Sequence, residues 1–394
     1  MMYLTHEEEA MLAGEHGEAC KRAMEILVAL GKIYGADRLI NVASVQVAGV
    51  SYHNLGDAGL EFLSELARDG KVKVLTTLNP AGIDLERWKE LNISEDFAIK
   101  QKMVIDAFEK LGIITSCTCI PYLVGNLPLK GQHIAWSESS AVTFANSVLG
   151  AKTNREGGPS ALAAALTGKT ANFGLHLDEN RNAQIVVNVR TKIENEDWAL
   201  LGFSIGKKIG NKIPFIRGIK TANLEELKSF SAAIATYGGT ALFHIENITP
   251  NKTEIPNEKI DIEEIDLKNA RDELNDEGEI DFVGIGCPHC SLQEIEKIAK
   301  LLDGKKVSVE TWIFTARQIK TLAELQGWAS KIEKSGAKIV CDTCMAVAPL
   351  KGRFKCLVTN SSKACFYGRG TNNFKTKFGT IEKCIDAAVT GKWK

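Results

Sequence analysis

The residues of this sequence best suited to chemistry are its ten cysteines, spread over 394 residues. Four of them form two C-x-x-C pairs, at 287–290 and 341–344, and two more flank Thr118. Cysteine thiolates bind zinc, hold iron–sulfur clusters, and act as redox or catalytic groups. The spacing of the cysteines and their place in the fold must decide among these uses.

Three functions fit the two pairs. A compact four-cysteine zinc module spaces its pairs by ~15–20 residues, whereas Cys290 and Cys341 are 51 positions apart. A thioredoxin-type redox pair needs a C-x-x-C that opens a helix. An iron–sulfur cluster accepts single cysteines from separate loops, and a cluster with three protein ligands leaves one iron open as a Lewis acid. The residues alone leave all three open. For the remaining cysteines we expect packing roles: Cys20, Cys356, Cys365 and Cys384.

Composition limits the class of protein. The formal net charge is −1, which argues against a nucleic-acid binder with its usual basic excess, and 44% hydrophobic residues can bury a large core. The N-terminus MMYLTHEEEAML lacks a basic region followed by an apolar run, and no stretch approaches ~18 consecutive apolar residues. We therefore expect a cytoplasmic protein that neither crosses a membrane nor binds nucleic acid.

The elements alternate between strand-like and helix-like segments, which predicts parallel sheets with crossover helices. Thr5 with Glu8, and Ser291 with Glu294, predict capped helix starts. Polar and soft residues follow the predicted strands, and ligands of open parallel sheets bind beyond the carboxyl ends of the strands. These loops are therefore expected to converge on one site.

Three regions are predicted along the chain. Residues 1–252 form an N-terminal α/β region that carries substrate-binding loops and, near 183–219, a β-rich insert that includes ALLGFSIG. Residues 253–281 hold twelve acidic and three basic side chains and are expected to be an acidic linker. Residues 282–394 form a C-terminal α/β domain that carries both C-x-x-C pairs.

Five segments together carry a family resemblance. They resemble the signature segments of aconitase X, the divergent branch of the aconitase superfamily, and the similarity extends from YLTHEEEAML to the last helix. The segments are TCIPY (118–122), SESSAVTFANSVLGAKTNREGGPSAL (137–162), GCPHCS (286–291), CDTC (341–344) and TNSSK (359–363).

The resemblance implies an α/β fold of aconitase-like catalytic domains, with parallel sheets flanked by helices, an iron–sulfur site at the strand carboxyl ends, and no small swivelling domain. It implies a 4Fe-4S cluster with one iron open to substrate, held by Cys119, Cys287 and Cys344. Cys117, Cys290 and Cys341 would be neighbours of these ligands. The substrate-binding positions that match the family are Gly49, Val50, Ser51, Asn79, Pro80, Glu138, Ser139 and Lys363. Asn154, Arg155 and Glu156 either line the site or brace it, and they are not among the predicted site residues.

Members of the family are iron–sulfur hydro-lyases. The archaeal type is split into two subunits, and its large subunit is similar to this chain. That type dehydrates (R)-5-phosphomevalonate to trans-anhydromevalonate 5-phosphate in a modified mevalonate route to isoprenoids. The base is a serine on the swivelling domain. This chain ends at Lys394 without such a domain, so we expect no catalytic base in it. We expect instead that it forms a heterodimer with a small subunit that carries the base. The alternatives are dehydration of another hydroxy acid, such as cis-3-hydroxy-L-proline, and a non-catalytic zinc-binding scaffold.

Overall fold

Three parallel β-sheets, one after another along the chain, organise the computed structural model, which describes residues 2–393. An antiparallel pair of strands accompanies the first sheet. The elements of the first unit are α1 (His6–Ala13), α2 (Glu18–Tyr34), β1 (Leu39–Asn41), β2 (Ser44–Val47), α3 (Tyr52–Leu66), β3 (Leu75–Leu78), α4 (Glu95–Lys110), β4 (Ala135–Trp136), α5 (Ser139–Phe144), α6 (Gly158–Thr167) and β5 (Lys169–Ala171).

The first sheet has the order β3-β2-β4, and its central strand β2 runs parallel to both neighbours. All four residues of β2 are buried. The predicted capping box at the first helix is confirmed, since the amide of Glu8 donates to Thr5 Oγ1 and the amide of Thr5 donates to Glu8 Oε2. Because the three strands are parallel, the loops that follow them emerge at one edge of the sheet.

The second unit contains a parallel sheet of order β8-β7-β6-β9. Its elements are β6 (Ile185–Val189), α7 (Asp197–Ile209), β7 (Pro214–Arg217), α8 (Leu224–Tyr237), β8 (His244–Ile245), β9 (Lys259–Ile262) and α9 (Glu264–Glu273).

The β-rich insert expected near 183–219 contains strands β6 and β7, but its ALLGFSIG segment is wrong as a strand, because it lies within helix α7. Every residue from Trp198 to Gly206 is buried, so the helix is apolar on nearly all sides. Such a segment lacks the polar face that distinguishes a helix from a buried strand. Gly202 lets α8 approach closely, since a Cβ there would lie 2.6 Å from the Cβ of Ala233.

The acidic segment 253–281 also differs from the expected linker. Strand β9 pairs with β6 from Lys259 to Ile262, and α9 buries Leu267 and Ala270. The charged side chains lie on an edge strand and on the outer face of one helix, where water solvates them. We therefore propose that residues 253–273 belong to the second unit and that the boundary follows α9.

The third unit is a five-stranded parallel sheet of order β12-β11-β10-β13-β14. Its elements are β10 (Phe282–Cys290), α10 (Leu292–Leu302), β11 (Glu310–Thr315), α11 (Arg317–Leu325), α12 (Trp328–Lys334), β12 (Lys338–Val340), β13 (Cys356–Thr359), α13 (Ser362–Asn372), β14 (Lys375–Phe378) and α14 (Ile381–Thr390).

The third sheet is doubly wound: the chain runs outward from β10 to β12 and then returns to the other side of β10 with β13. Adjacent crossovers therefore diverge between β10 and β13, and this switch point is where open α/β sheets form a crevice for ligands. Cys287 lies near the end of β10, and Lys363 follows β13. The capping box of Ser291 and Glu294, predicted from the sequence, is present at the start of α10.

No helix within residues 2–393 is both long enough and apolar enough to cross a bilayer.

Candidate active site

A cavity of about 430 Å³ lies between the carboxyl ends of the first and third sheets. All eleven residues that the sequence analysis assigns to substrate or cluster line it. They are Gly49, Val50, Ser51, Asn79, Pro80, Cys119, Glu138, Ser139, Cys287, Cys344 and Lys363.

One buried side chain of α4 holds the first-sheet loops in place. The Oε1 atom of Gln101 accepts from the amides of Tyr52 and Gly82, at 2.9 Å each, and its Nε2 donates to the carbonyl of Val50 at 2.9 Å. The loops after β2 and β3 are thereby fixed to one amide group.

The first and third units are bonded to each other at the cavity. Ser51 Oγ donates to the carbonyl of Val347 at 3.2 Å, and the amide of Ala81 donates to the carbonyl of Asp342 at 2.7 Å. Because the Ser51 hydroxyl donates its hydrogen to the Val347 carbonyl, its oxygen can still accept a hydrogen bond from a ligand.

Each of the three cysteine loops contains a residue with positive φ, one or two positions before the cysteine that lines the cavity. Cys117 has φ +43°, Gly286 has φ +111° and Asp342 has φ +61°. Non-glycine residues in this region are uncommon and cluster at functional sites. At Gly286 no side chain fits, because a Cβ would lie 2.2 Å from the carbonyl oxygen of Phe314.

One thiol from each motif lines the cavity: Cys119, Cys287 and Cys344. All three are buried, and burial raises their pKa, to about 12 at Cys344. The free thiols are therefore protonated at neutral pH, and binding a metal centre releases those protons. Their partners Cys117, Cys290 and Cys341 are also buried but do not line the cavity.

The zinc and redox interpretations fit this arrangement poorly. Within residues 2–393, no group of three or more histidine, cysteine, aspartate or glutamate side chains is close enough together to hold a single metal ion. Cys287 and Cys290 lie on strand β10 rather than at the start of a helix, so the thioredoxin context is not formed. Three soft donors spaced around one cavity fit a multi-iron cluster with protein ligands from separate loops.

His289 connects all three cysteine loops. Its Nδ1 lies 2.9 Å from Thr118 Oγ1, its Nε2 lies 2.9 Å from the carbonyl of Thr343, and its backbone amide donates to Cys119 Sγ at 3.2 Å. Because a carbonyl only accepts, Nε2 carries the proton and Nδ1 accepts from the threonine hydroxyl. Burial lowers the pKa of His289 to about 4, so the ring is neutral.

A buried ion pair crosses the cavity from the first unit to the third. The Nζ atom of Lys363 contacts Glu138 Oε1, and their side chains are 8% and 6% exposed. Glu138 caps α5, accepting from the amide of Ala141 at 2.7 Å and from Ser140 Oγ at 2.6 Å. Burial opposes charge on both groups, but mutual attraction outweighs it: the pKa of Glu138 is lowered and that of Lys363 is raised.

Asn79 offers an uncommitted acceptor to a ligand. Its Oδ1 atom is buried and has no hydrogen-bond partner within the described residues 2–393. A buried polar atom without a partner is costly, and a bound substrate would satisfy it.

Five polar residues outside the predicted site also line the cavity: Asn54, Ser137, Arg155, Tyr367 and Thr371. Tyr367 and Thr371 follow Lys363 at intervals of four residues along α13 and so share its face. That helical spacing is a signal in the sequence that could have found them.

A second cavity, of about 260 Å³, lies between the second and third units. Its carboxylates are already engaged: Glu294 pairs with Lys228, Glu382 pairs with Lys297, and Glu225 accepts from Ser291 Oγ. None of the predicted site residues lines it, so the first cavity is the better candidate for chemistry.

Family models and curated relatives match this chain over nearly its whole length. Family models for the first, second and third domains of aconitase X match residues 1–179, 183–272 and 280–390. The phosphomevalonate dehydratase large subunit of Methanosarcina mazei is 50% identical, with 99% of this chain and 98% of that protein covered. The cis-3-hydroxy-L-proline dehydratase of Pseudomonas aeruginosa is 34% identical, with 98% of this chain and 70% of that protein covered.

A solved structure is also similar. The holo-form crystal structure of Thermococcus kodakaraensis aconitase X superposes with a TM-score of 0.92 at 47% identity, covering 98% of this chain and 100% of that one. With all three domain models matched in order along the chain, this protein belongs to the aconitase X family.

Proposed function

We propose that this chain is the large subunit of an iron–sulfur hydro-lyase that dehydrates (R)-5-phosphomevalonate to trans-anhydromevalonate 5-phosphate, in the cytoplasm. The observation that carries the proposal is one cavity that joins three buried thiols to a buried lysine–glutamate pair. Relatives that are 46–50% identical are named phosphomevalonate dehydratase large subunits. A reducing compartment suits the ten cysteines, all of which are free.

In this proposal Cys119, Cys287 and Cys344 hold a 4Fe-4S cluster. When bound, the cluster supplies an open iron that acts as a Lewis acid on the hydroxyl that leaves. The amide of His289, which donates to Cys119 Sγ, stabilises charge on that sulfur.

The remaining cavity residues position the substrate. Lys363, held by Glu138 and the serine hydroxyls of α5, gives a fixed cation for the substrate carboxylate. Asn79 Oδ1 accepts a hydrogen bond from a substrate hydroxyl, and the loop at Gly49–Ser51 brings backbone close to the ligand.

Dehydration also needs a base for the proton α to the carboxylate. The cavity lining within residues 2–393 includes a single carboxylate, Glu138, and no histidine. Glu138 is committed to Lys363, Ser140 and the amide of Ala141, and its lowered pKa makes it a poor base. The base therefore comes from a small subunit that closes over the cavity, as a serine on a swivelling domain.

The direct test is anaerobic co-expression with the candidate small subunit, followed by mass-spectrometric detection of water loss from (R)-5-phosphomevalonate. We expect turnover by the complex, and a rate at least about 100-fold lower for the large subunit alone, since general-base catalysis contributes that much. The same assay with cis-3-hydroxy-L-proline is the control. Faster loss of water from that substrate, or full activity of the large subunit alone, would contradict the proposal.

His289 gives a second prediction. Replacing it with leucine leaves Thr118 Oγ1 and the Thr343 carbonyl without their partner, and it removes two of the three hydrogen bonds by which residue 289 joins the cysteine loops. We expect iron to be lost to a chelator about 10- to 100-fold faster, the range seen when outer neighbours of metal ligands are removed. The measurement is the decay of visible absorption.

Two variants control the histidine test. His289→Gln keeps an amide donor and acceptor and should recover part of the stability of the cluster. His16→Leu, at an exposed histidine between α1 and α2, should not change the decay. An unchanged decay for His289→Leu would show that the ring does not support the cluster.

A further inference from the structure

The loop before α6 contains three consecutive polar residues, Asn154, Arg155 and Glu156, and only two of them brace the loop through side-chain hydrogen bonds. Asn154 turns inward: its Nδ2 donates to the carbonyl of Phe173 at 3.0 Å, and its Oδ1 accepts from the amide of Leu175 at 2.8 Å. Glu156 also turns inward and accepts from Ser160 Oγ at 2.6 Å. These two residues brace the loop.

The backbone between them is fixed as well. The amide of Thr153 donates to Asn146 Oδ1 at 3.0 Å, and the amide of Glu156 donates to the carbonyl of Trp136 at 3.0 Å. The loop is thus bonded on both sides of Arg155, an exposed residue that lines the cavity. An arginine presented from a braced loop loses little freedom when it binds a ligand.

The charge of Arg155 is uncompensated. No acidic side chain within residues 2–393 forms an ion pair with it, and its guanidinium makes one hydrogen bond, from Nη2 to the carbonyl of Ala235 at 3.3 Å. The other charged groups that line the cavity, Lys363 and Glu138, neutralise each other. The cavity therefore carries a net positive charge from Arg155, apart from any metal centre.

Arg155 also lies away from the cysteine loops. Lys228, near the start of α8, donates to the carbonyl of His289, whereas Arg155 contacts the carbonyl of Ala235 two turns later on the same helix, ~10 Å along its axis. The cavity therefore has a cysteine end, with Lys363 paired to Glu138, and a second end with the guanidinium of Arg155.

We propose that Arg155 binds the phosphate group of the substrate and sets the preference for a phosphorylated hydroxy acid. This inference rests on the proposed function. In 5-phosphomevalonate the leaving hydroxyl and the carboxylate are close together, and the phosphate is at the far end of the molecule. A substrate whose reacting carbons face the thiols therefore extends its phosphate away from them, toward Arg155. The planar guanidinium matches phosphate oxygens with two parallel hydrogen bonds.

The test uses the complete two-subunit enzyme with Arg155→Gln. We expect the KM for phosphomevalonate to rise about 10- to 100-fold, as loss of a charged hydrogen bond predicts, with a smaller change in kcat. Inorganic phosphate and mevalonate serve as competitive inhibitors. The inhibition constant of phosphate should rise with the KM, and that of mevalonate should stay unchanged, since mevalonate lacks the phosphate.

Arg155→Lys should recover part of the binding. Arg190→Gln, at an exposed arginine paired with Asp261 on the second sheet, is the matched control and should leave all constants unchanged. An unchanged KM in Arg155→Gln overturns the inference while the proposed function stands. Equal weakening of phosphate and mevalonate also overturns it, because Arg155 would then not distinguish the two. If the wild-type complex fails to dehydrate phosphomevalonate, both proposals fall.

Discussion

Replacing Lys363 with methionine is expected to abolish dehydration and to destabilise the protein by about 3–5 kcal/mol, the cost of leaving one charge of a buried pair alone. Glu138 would remain buried beside an apolar side chain, and the cavity would lose its fixed cation. The measurements are turnover by the complex and the free energy of unfolding of the large subunit from urea denaturation.

The control for this effect is an exposed pair. Lys207 and Glu273 form an ion pair with side chains 48% and 51% exposed, so Lys207→Met should change the free energy of unfolding by about 0–1 kcal/mol. The double variant Lys363→Met with Glu138→Gln removes both buried charges. It should regain much of the lost stability but none of the activity. A Lys363→Met variant as stable and as active as the wild type would refute this account.

Replacing Cys119 with serine is expected to remove the cluster. We expect iron occupancy and broad visible absorption to fall at least about tenfold, because even outer neighbours of metal ligands alter affinity by about 10- to 100-fold. Iron analysis and absorption spectra of anaerobically purified protein measure the effect.

Cys117→Ser is the matched control, since this thiol is also buried and is only two positions away. Cys117 packs in the hydrophobic core of the first unit and does not line the cavity, so its variant should remain coloured. If Cys119→Ser keeps the full spectrum while Cys117→Ser loses it, the ligand assignment is wrong.

The sequence predicts best those features that depend on local pattern. The capping boxes at Thr5 and Ser291 are examples, because a cap is decided within four residues. The convergence of polar loops follows from a topological rule, since parallel strands put their carboxyl ends on one edge. The choice of Cys119 came instead from the family resemblance, because spacing alone did not separate it from Cys117.

Other features depend on contacts that the sequence does not display. Helix α7 was expected to be β-like because burial on nearly all sides removes its periodicity. The acidic segment was expected to be a linker because charge shows that side chains are solvated, but not whether the backbone pairs with β6. The sequence does not place Arg155 in the site, because its neighbours are equally polar and only the hydrogen bonds show that Asn154 and Glu156 are engaged elsewhere.

The contacts between the first and third units also set an order of events during biosynthesis. The Ser51 hydroxyl bonds to Val347, 296 positions later, and Glu138 pairs with Lys363, 225 positions later. The first unit can fold while the chain is still being made, but its cavity has no opposite wall until the last sheet has been synthesised. In the proposed function, the cluster can therefore be assembled only after the third sheet has been synthesised.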